Sequence, residues 1–263
     1  MDVILDILTN VEYDLPRALA GALLLLLLPT LYFFTARARA LLRAGRPIPL
    51  RPIEGYESLA GAMGRAAETG RPLHVSLGTG GVGDASTIES MAALILLDQL
   101  AQKAAAYDAQ PLVTTADPVL NIAAQDRLRQ AYAGRGFLAG YEPANVRFIA
   151  PDRTAYAAGA MDVLENEPLS GNVMLGAFSD EYLLVGEVGA RKHPSQIAGA
   201  VDPSVLPFVL ATSEKPLLGE EMFAAGAYLG KLPLHVGSLF AQDWTRVFLV
   251  LIILAGAAVK TLL

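Results

Sequence analysis

LHVSLGTGGVGDASTIES, Leu73 to Ser90, begins as a strand, passes through a run of glycines and leaves as a helix. Gly78-Thr79-Gly80-Gly81-Val82-Gly83 satisfies G-x-G-x-x-G in the strand-to-helix context that dinucleotide sites require. In such a site the N–H groups of the loop and the first helical turn face a pyrophosphate, and the glycines let it approach. Thr79 and Ser86 would add hydroxyls. The ribose carboxylate has one candidate, Asp117, which stands 34 residues beyond Gly83 and directly before Pro118. A helix N-cap followed by proline accounts for Asp117 without any ligand. The nucleotide or dinucleotide expectation thus rests on Gly78, Thr79, Gly80, Gly81, Gly83, Ser86 and Asp117. No Walker lysine follows the glycines, which excludes a P-loop.

Outward from this stretch the same unit repeats: an apolar strand, a capping residue, a helix-period segment. The predicted strands are Leu73–Leu77, Pro111–Thr115, Val146–Ala150, Val173–Phe178 and Pro207–Ala211, with a sixth candidate at Leu234–Leu239. Near-continuous apolar strands alternating with helices predict an α/β fold, a Rossmann-like doubly wound, mainly parallel sheet covered on both faces. Val185–Val205 carries three glycines and two prolines and reads as an irregular excursion. The helix after the glycines opens with Ser86 and Glu89 at capping-box spacing. Its centre, Met91 to Leu97, is apolar almost all round. One sheet face cannot cover it, so a second helix of the domain or a neighbouring protomer must.

Asp84, Asp117, Asp152, Asp180 and Glu214 fall just beyond predicted strand ends, the edge where such sheets bind ligands. As a set they repel phosphate unless a divalent cation intervenes, and each alone suits a helix start. His74, His193 and His235 have no metal-ligand or nucleophile-base spacing, and the chain contains no cysteine. No catalytic residue and no metal site is expected; hydrolase and zinc-enzyme readings find no support, and an oxidoreductase using the glycine loop lacks an identifiable proton donor and ranks last.

The composition is 53% hydrophobic with a net charge of -6, which puts part of the chain in lipid and argues against nucleic-acid partners. Ala18–Ala36 is an uncharged run about 28 Å long as a helix, close to a bilayer core. Asp2, Asp6, Glu12 and Asp14 precede it, while Arg37, Arg39, Arg43, Arg46 and Arg51 follow it. That order is the reverse of a cleaved secretory signal, so the span is expected to be retained, with the arginines in the cytoplasm. A second apolar run, Val247–Leu263, follows Trp244 and Arg246. The expected organisation is an acidic extracytoplasmic N-terminus (1–17), a transmembrane helix (18–36), an arginine-rich linker (37–51), a cytoplasmic Rossmann-like domain (52–240) and a C-terminal transmembrane helix (241–263).

The acidic N-terminus, leucine-rich span, arginine cluster, HVSLGTGG turn with Gly78, Thr79 and Gly80, α/β domain and terminal span together resemble an uncharacterised family of prokaryotic membrane proteins, defined as a domain of unknown function. The resemblance implies no activity, cofactor or site residue. The residues themselves lead to a membrane-anchored, non-enzymatic assembly protein in contact with lipid and with copies of itself or other membrane proteins. The alternative is a membrane-bound nucleotide or dinucleotide sensor using the Gly78–Gly83 loop.

Overall fold

The computed structural model describes residues 15–192 and 195–262; the acidic stretch from Asp2 to Asp14 and His193 lie outside the described residues. The chain divides into two compact units, one spanning Leu50–Gly230 and the other formed by the segments on either side of it in sequence.

In the central unit, helix α2 (Glu54–Thr69) leads to strand β1 (Leu73–Gly78) and helix α3 (Thr87–Tyr107). Strand β2 (Leu112–Thr115), helix α4 (Pro118–Gly134), strand β3 (Val146–Phe148) and helix α5 (Arg153–Asn166) follow. Strand β4 (Gly171–Ala177), helix α6 (Glu181–Lys192), strand β5 (Ile197–Ala200), helix α7 (Leu206–Thr212) and strand β6 (Leu217–Leu218) complete the sheet, and a short helix α8 (Ala225–Tyr228) follows it. All six strands are parallel, in the order β3-β2-β1-β4-β5-β6. This order is consistent with a Rossmann-like sheet, whose direction of winding reverses between β1 and β4.

Two expected strands are corrected. Pro207–Ala211 lies in α7, where Pro207 occupies the first turn, and Leu234–Leu239 opens a long helix, α9 (Pro233–Leu262). Short apolar runs have no period that separates strand from helix. Within the stretch 185–205, read as an irregular excursion, the described residues include the end of α6, up to Lys192, and the strand β5, Ile197–Ala200. Its glycines mark close packing: a Cβ on Gly189 would stand 1.8 Å from Gln196 Oε1, and one on Gly199 would stand 2.5 Å from Leu175 Cδ2.

Side chains alternate across the sheet. Val75, Leu77, Val113, Val173 and Leu175 belong to one set and are buried. Leu112, Met174, Ala198 and Ala200 belong to the other and join α5, α6 and α7 in a core with Tyr156, Tyr182 and Phe178. Most of the apolar centre of α3 is covered within its own unit, by α2, α4 and the segment ending in α8: Leu94, Leu96, Leu97 and Leu100 are buried, while Met91 is 39% exposed.

The second unit contains helix α1 (Leu15–Arg43), which carries Pro29 within it, and α9. The arginines at 37, 39 and 43 continue α1. A Cβ on Gly237 would stand 2.5 Å from Thr35 Oγ1 and 2.6 Å from Thr35 Cα, so the two helices approach at backbone distance. Phe34 lies 6.2 Å from both Phe240 and Trp244. Among the described residues one helix, Pro233–Ala258, is long and apolar enough to cross a membrane. The expected N- and C-terminal pair is thereby reduced to this one. It begins eight residues before residue 241, because the LHVGSL segment read as a strand is helical.

Candidate functional site

The glycine loop leaves β1 at the point where the sheet's winding reverses. Pairing between β1 and β4 slips here, from Ser76 opposite Met174 to Gly78 opposite Ala177. The bulge brings backbone against backbone: a Cβ on Gly176 would stand 2.0 Å from Leu77 O, and one on Gly78 would stand 2.3 Å from Ala177 O. Gly78 also has φ +83°, in the left-handed region. Thr79 N then donates to Ala177 O at 2.9 Å, and a Cβ on Gly80 would collide with Ala177 Cβ at 2.5 Å and Ser86 Oγ at 2.7 Å. These glycines are required by the packing of the loop on β4.

The loop's donors turn inward. Gly81 N donates to Ser86 Oγ (2.9 Å) and Gly83 N to Thr87 Oγ1 (2.8 Å). Ser86 donates to Asp84 Oδ1 through both its N–H (2.8 Å) and its hydroxyl (2.6 Å). The expected capping box at Ser86 and Glu89 does not form: Ser86 precedes α3 without a side-chain cap bond, its hydroxyl being held by the loop. The Ser86 hydroxyl and N–H together hold the Asp84 carboxyl below its ordinary value. In this conformation Thr79, Gly81, Gly83 and Ser86 direct their N–H groups to protein acceptors, not to a pyrophosphate position.

Asp117 is the N-cap of α4. Its Oδ1 accepts from Leu120 N at 2.7 Å, with Pro118 in the first turn, while its Oδ2 faces Gly81, 3.0 Å from where a Cβ would stand. The structure therefore brings Gly81, Asp84, Ser86 and Asp117 together as a self-bonded acidic rim. Asp152 caps α5 through Ala155 N at 2.9 Å. Burial pushes the Glu89 carboxyl up, with Asp202 and Asp84 adding repulsion, which places a further acid beside the same edge. Among the described residues no group of three or more His, Cys, Asp or Glu side chains is arranged to hold a metal ion.

Glu181 is the residue that sequence reasoning missed. It is the first residue of α6, only 4% exposed, and its Oε1 accepts from Thr79 Oγ1 (2.5 Å) and Ser179 N (3.0 Å). Its Oε2 is buried with no hydrogen-bond partner. A carboxylate tying the end of β4 to the first residue after Gly78, with one acceptor oxygen unused, can receive an N–H, an O–H or a cation at the reversal point. Five carboxylates just beyond strand ends drew attention to that edge, and no periodicity distinguished the buried Glu181 from them.

Beneath the loop runs a buried polar chain. Ser76 Oγ meets Tyr156 OH (2.6 Å), which meets Thr114 Oγ1 (3.0 Å), which meets His74 Nε2 (2.9 Å). His74 Nδ1 meets Asn172 Oδ1 (2.7 Å), and Asn172 Nδ2 donates to Gln196 Oε1 (2.7 Å). Gln196 Nε2 ends the chain on the carbonyls of Gly186 and Thr212. Because the Asn172 amide nitrogen is committed to Gln196, its oxygen faces the imidazole, and the His74 proton sits on Nδ1. Nε2 then accepts from Thr114, and every link has one donor and one acceptor. Burial pushes the Tyr156 phenol up to about 12, so it stays a neutral donor. His74 is a satisfied core residue joining β1, β2 and β4.

Neither a curated protein nor a solved structure gives a match to the chain. Residues 9–263 match a family described as "Domain of unknown function (DUF6754)", and a match of that extent, covering the glycine loop, the sheet and both flanking helices, makes the chain a member of the DUF6754 family.

Proposed function

We propose that this protein is a membrane-anchored, non-enzymatic assembly protein. Its Rossmann-like domain stands on the cytoplasmic side and associates with copies of itself or with other membrane proteins. The observation that carries this reading is the character of the sheet edge around the glycine loop. The loop binds its own hydroxyls and carboxylates, while Val82, Ile88, Met91, Val119 and Ile122 expose apolar side chains beside it. Ile88 and Ile122 are 70% and 68% exposed in the opening turns of the neighbouring helices α3 and α4. Exposed apolar surface of this kind is a candidate interaction site. The helix Pro233–Ala258 supplies the anchor, and the arginines at 37, 39, 43, 46 and 51, on and just after the α1 that packs against it, support a cytoplasmic domain by positive-inside logic. Sedimentation of the full chain in mild detergent tests the assembly: a multiple of 27.8 kDa that falls to monomer in I88D/I122D supports it. Monomers at every concentration sink it.

Glu181 favours a second reading, a nucleotide or dinucleotide sensor. Its unused Oε2 lies at the reversal point, where doubly wound sheets take ligands, and would accept a hydroxyl or amine of the ligand. A bound nucleotide at about 100 times its Kd stabilises the fold by ~2.7 kcal/mol. A thermal-shift panel of nucleotides and dinucleotides on the full chain, repeated with Glu181→Gln, discriminates the two readings. No shift with any of them removes the sensor.

A further inference from the structure

We infer that α1 carries a binding site for an anionic phospholipid, a proposal that rests on the membrane-anchor reading above. A groove of about 430 Å³ runs along α1 and is closed on one side by Leu234 of α9. Its α1 wall is one helical stripe: Leu28, Tyr32, Ala36, Arg39 and Arg43 recur at intervals of three and four residues and so share a face. The stripe is apolar at its start and ends in two guanidinium groups. From Leu28 to Arg43 the helix rises about 22 Å, enough for a phosphate and the upper part of an acyl chain laid end to end.

Charge identifies the occupant. Arg39 and Arg43 are exposed, one helical turn apart, and form no ion pair among the described residues. Two guanidiniums on one face suit a phosphate diester, which each can grip through paired N–H donors. The ring and aliphatic carbons of Tyr32 and Leu28, both largely exposed, then cover the acyl chain. The lining also includes Thr35, 7% exposed, whose hydroxyl has no hydrogen-bond partner. A soluble anion would use the arginines alone. Only a molecule that is anionic at one end and apolar at the other uses the whole groove.

Trp244, the chain's single tryptophan, stacks on Phe34 of the same helix pair and reports on neighbouring lipid. The full-length protein is reconstituted in phosphatidylcholine vesicles in which either phosphatidylglycerol or phosphatidylcholine carries brominated, fluorescence-quenching chains. The expected result is a preference for brominated phosphatidylglycerol on the order of tenfold. It falls close to unity in R39Q/R43Q and is retained in R37Q, which alters an exposed arginine outside the groove. Equal quenching by the two lipids in the unmodified protein overturns the lipid site, as does a preference that survives R39Q/R43Q. Loss of the preference on adding inorganic phosphate also overturns it, by making the site one for a free anion. If neither brominated lipid quenches Trp244, the anchor reading itself fails, and the lipid site fails with it.

Discussion

Gly176 lies so close to Leu77 that a Cβ built on it would stand 2.0 Å from the Leu77 carbonyl oxygen. Backbone cannot retreat as a flexible side chain can, so Gly176→Ala should destabilise the protein by about 1–3 kcal/mol. Gly64, inside α2 with nothing within 4 Å of its Cβ position, provides the opposite case. Gly64→Ala should stabilise by about 0.5–1 kcal/mol. Unfolding midpoints of the two variants beside the unmodified protein check both signs.

Asp117 and Asp152 each accept an N–H three residues ahead in a helix. If Asp117 acts as a cap, Asp117→Ala and Asp152→Ala should each cost about 1 kcal/mol. Denaturant titration measures the two. A markedly larger loss at Asp117 would show that its second oxygen also holds the glycine loop in place.

His74 and Asn172 are adjacent links of the buried polar chain. Removing either leaves a buried group of the other unbonded, which costs about 1–3 kcal/mol, whereas removing both avoids part of that penalty. His74→Ala, Asn172→Ala and the double variant should therefore show a coupling of at least about 0.5 kcal/mol in a double-mutant cycle. Strict additivity would mean that the two residues act independently.

The Glu89 carboxyl is pushed above its ordinary 4.5, first by burial and then by Asp202 and Asp84. A carboxyl raised in the fold holds its proton more tightly there than in the unfolded chain. Its ionisation therefore removes stability as pH rises above 4.5, and the penalty is absent well below that value. Glu89→Gln should raise the thermal midpoint near neutral pH, and the gain should vanish as the pH falls to about 4. Midpoints recorded across that range test the sign.

Local pattern was enough to read β1 through β4 and the start of α3 and α4. Each depends on neighbours in sequence: an apolar run, a cap such as Asp117, a proline in the first helical turn. The same local signals failed at Pro207–Ala211 and Leu234–Leu239, where a short apolar run serves helix and strand equally. They failed again at β5, whose Gly199 is small because Leu175 and Leu217 crowd it from adjacent strands.

The sequence by itself determined an α/β domain, a glycine-rich strand-to-helix turn at Gly78–Gly83, and an apolar helix toward the C-terminus. Tertiary structure decided what the turn is for. Gly78 and Gly80 are small because Ala177, about a hundred residues later, packs against them, and the loop's donors are taken by Ser86, Thr87 and the β4 backbone. It also selected Glu181 from among the strand-end acids and joined His74, Thr114, Tyr156, Asn172 and Gln196 into one hydrogen-bonded chain. Steric exclusion and burial depend on atoms that are distant in sequence and adjacent only in the folded sheet, so no local pattern encodes them.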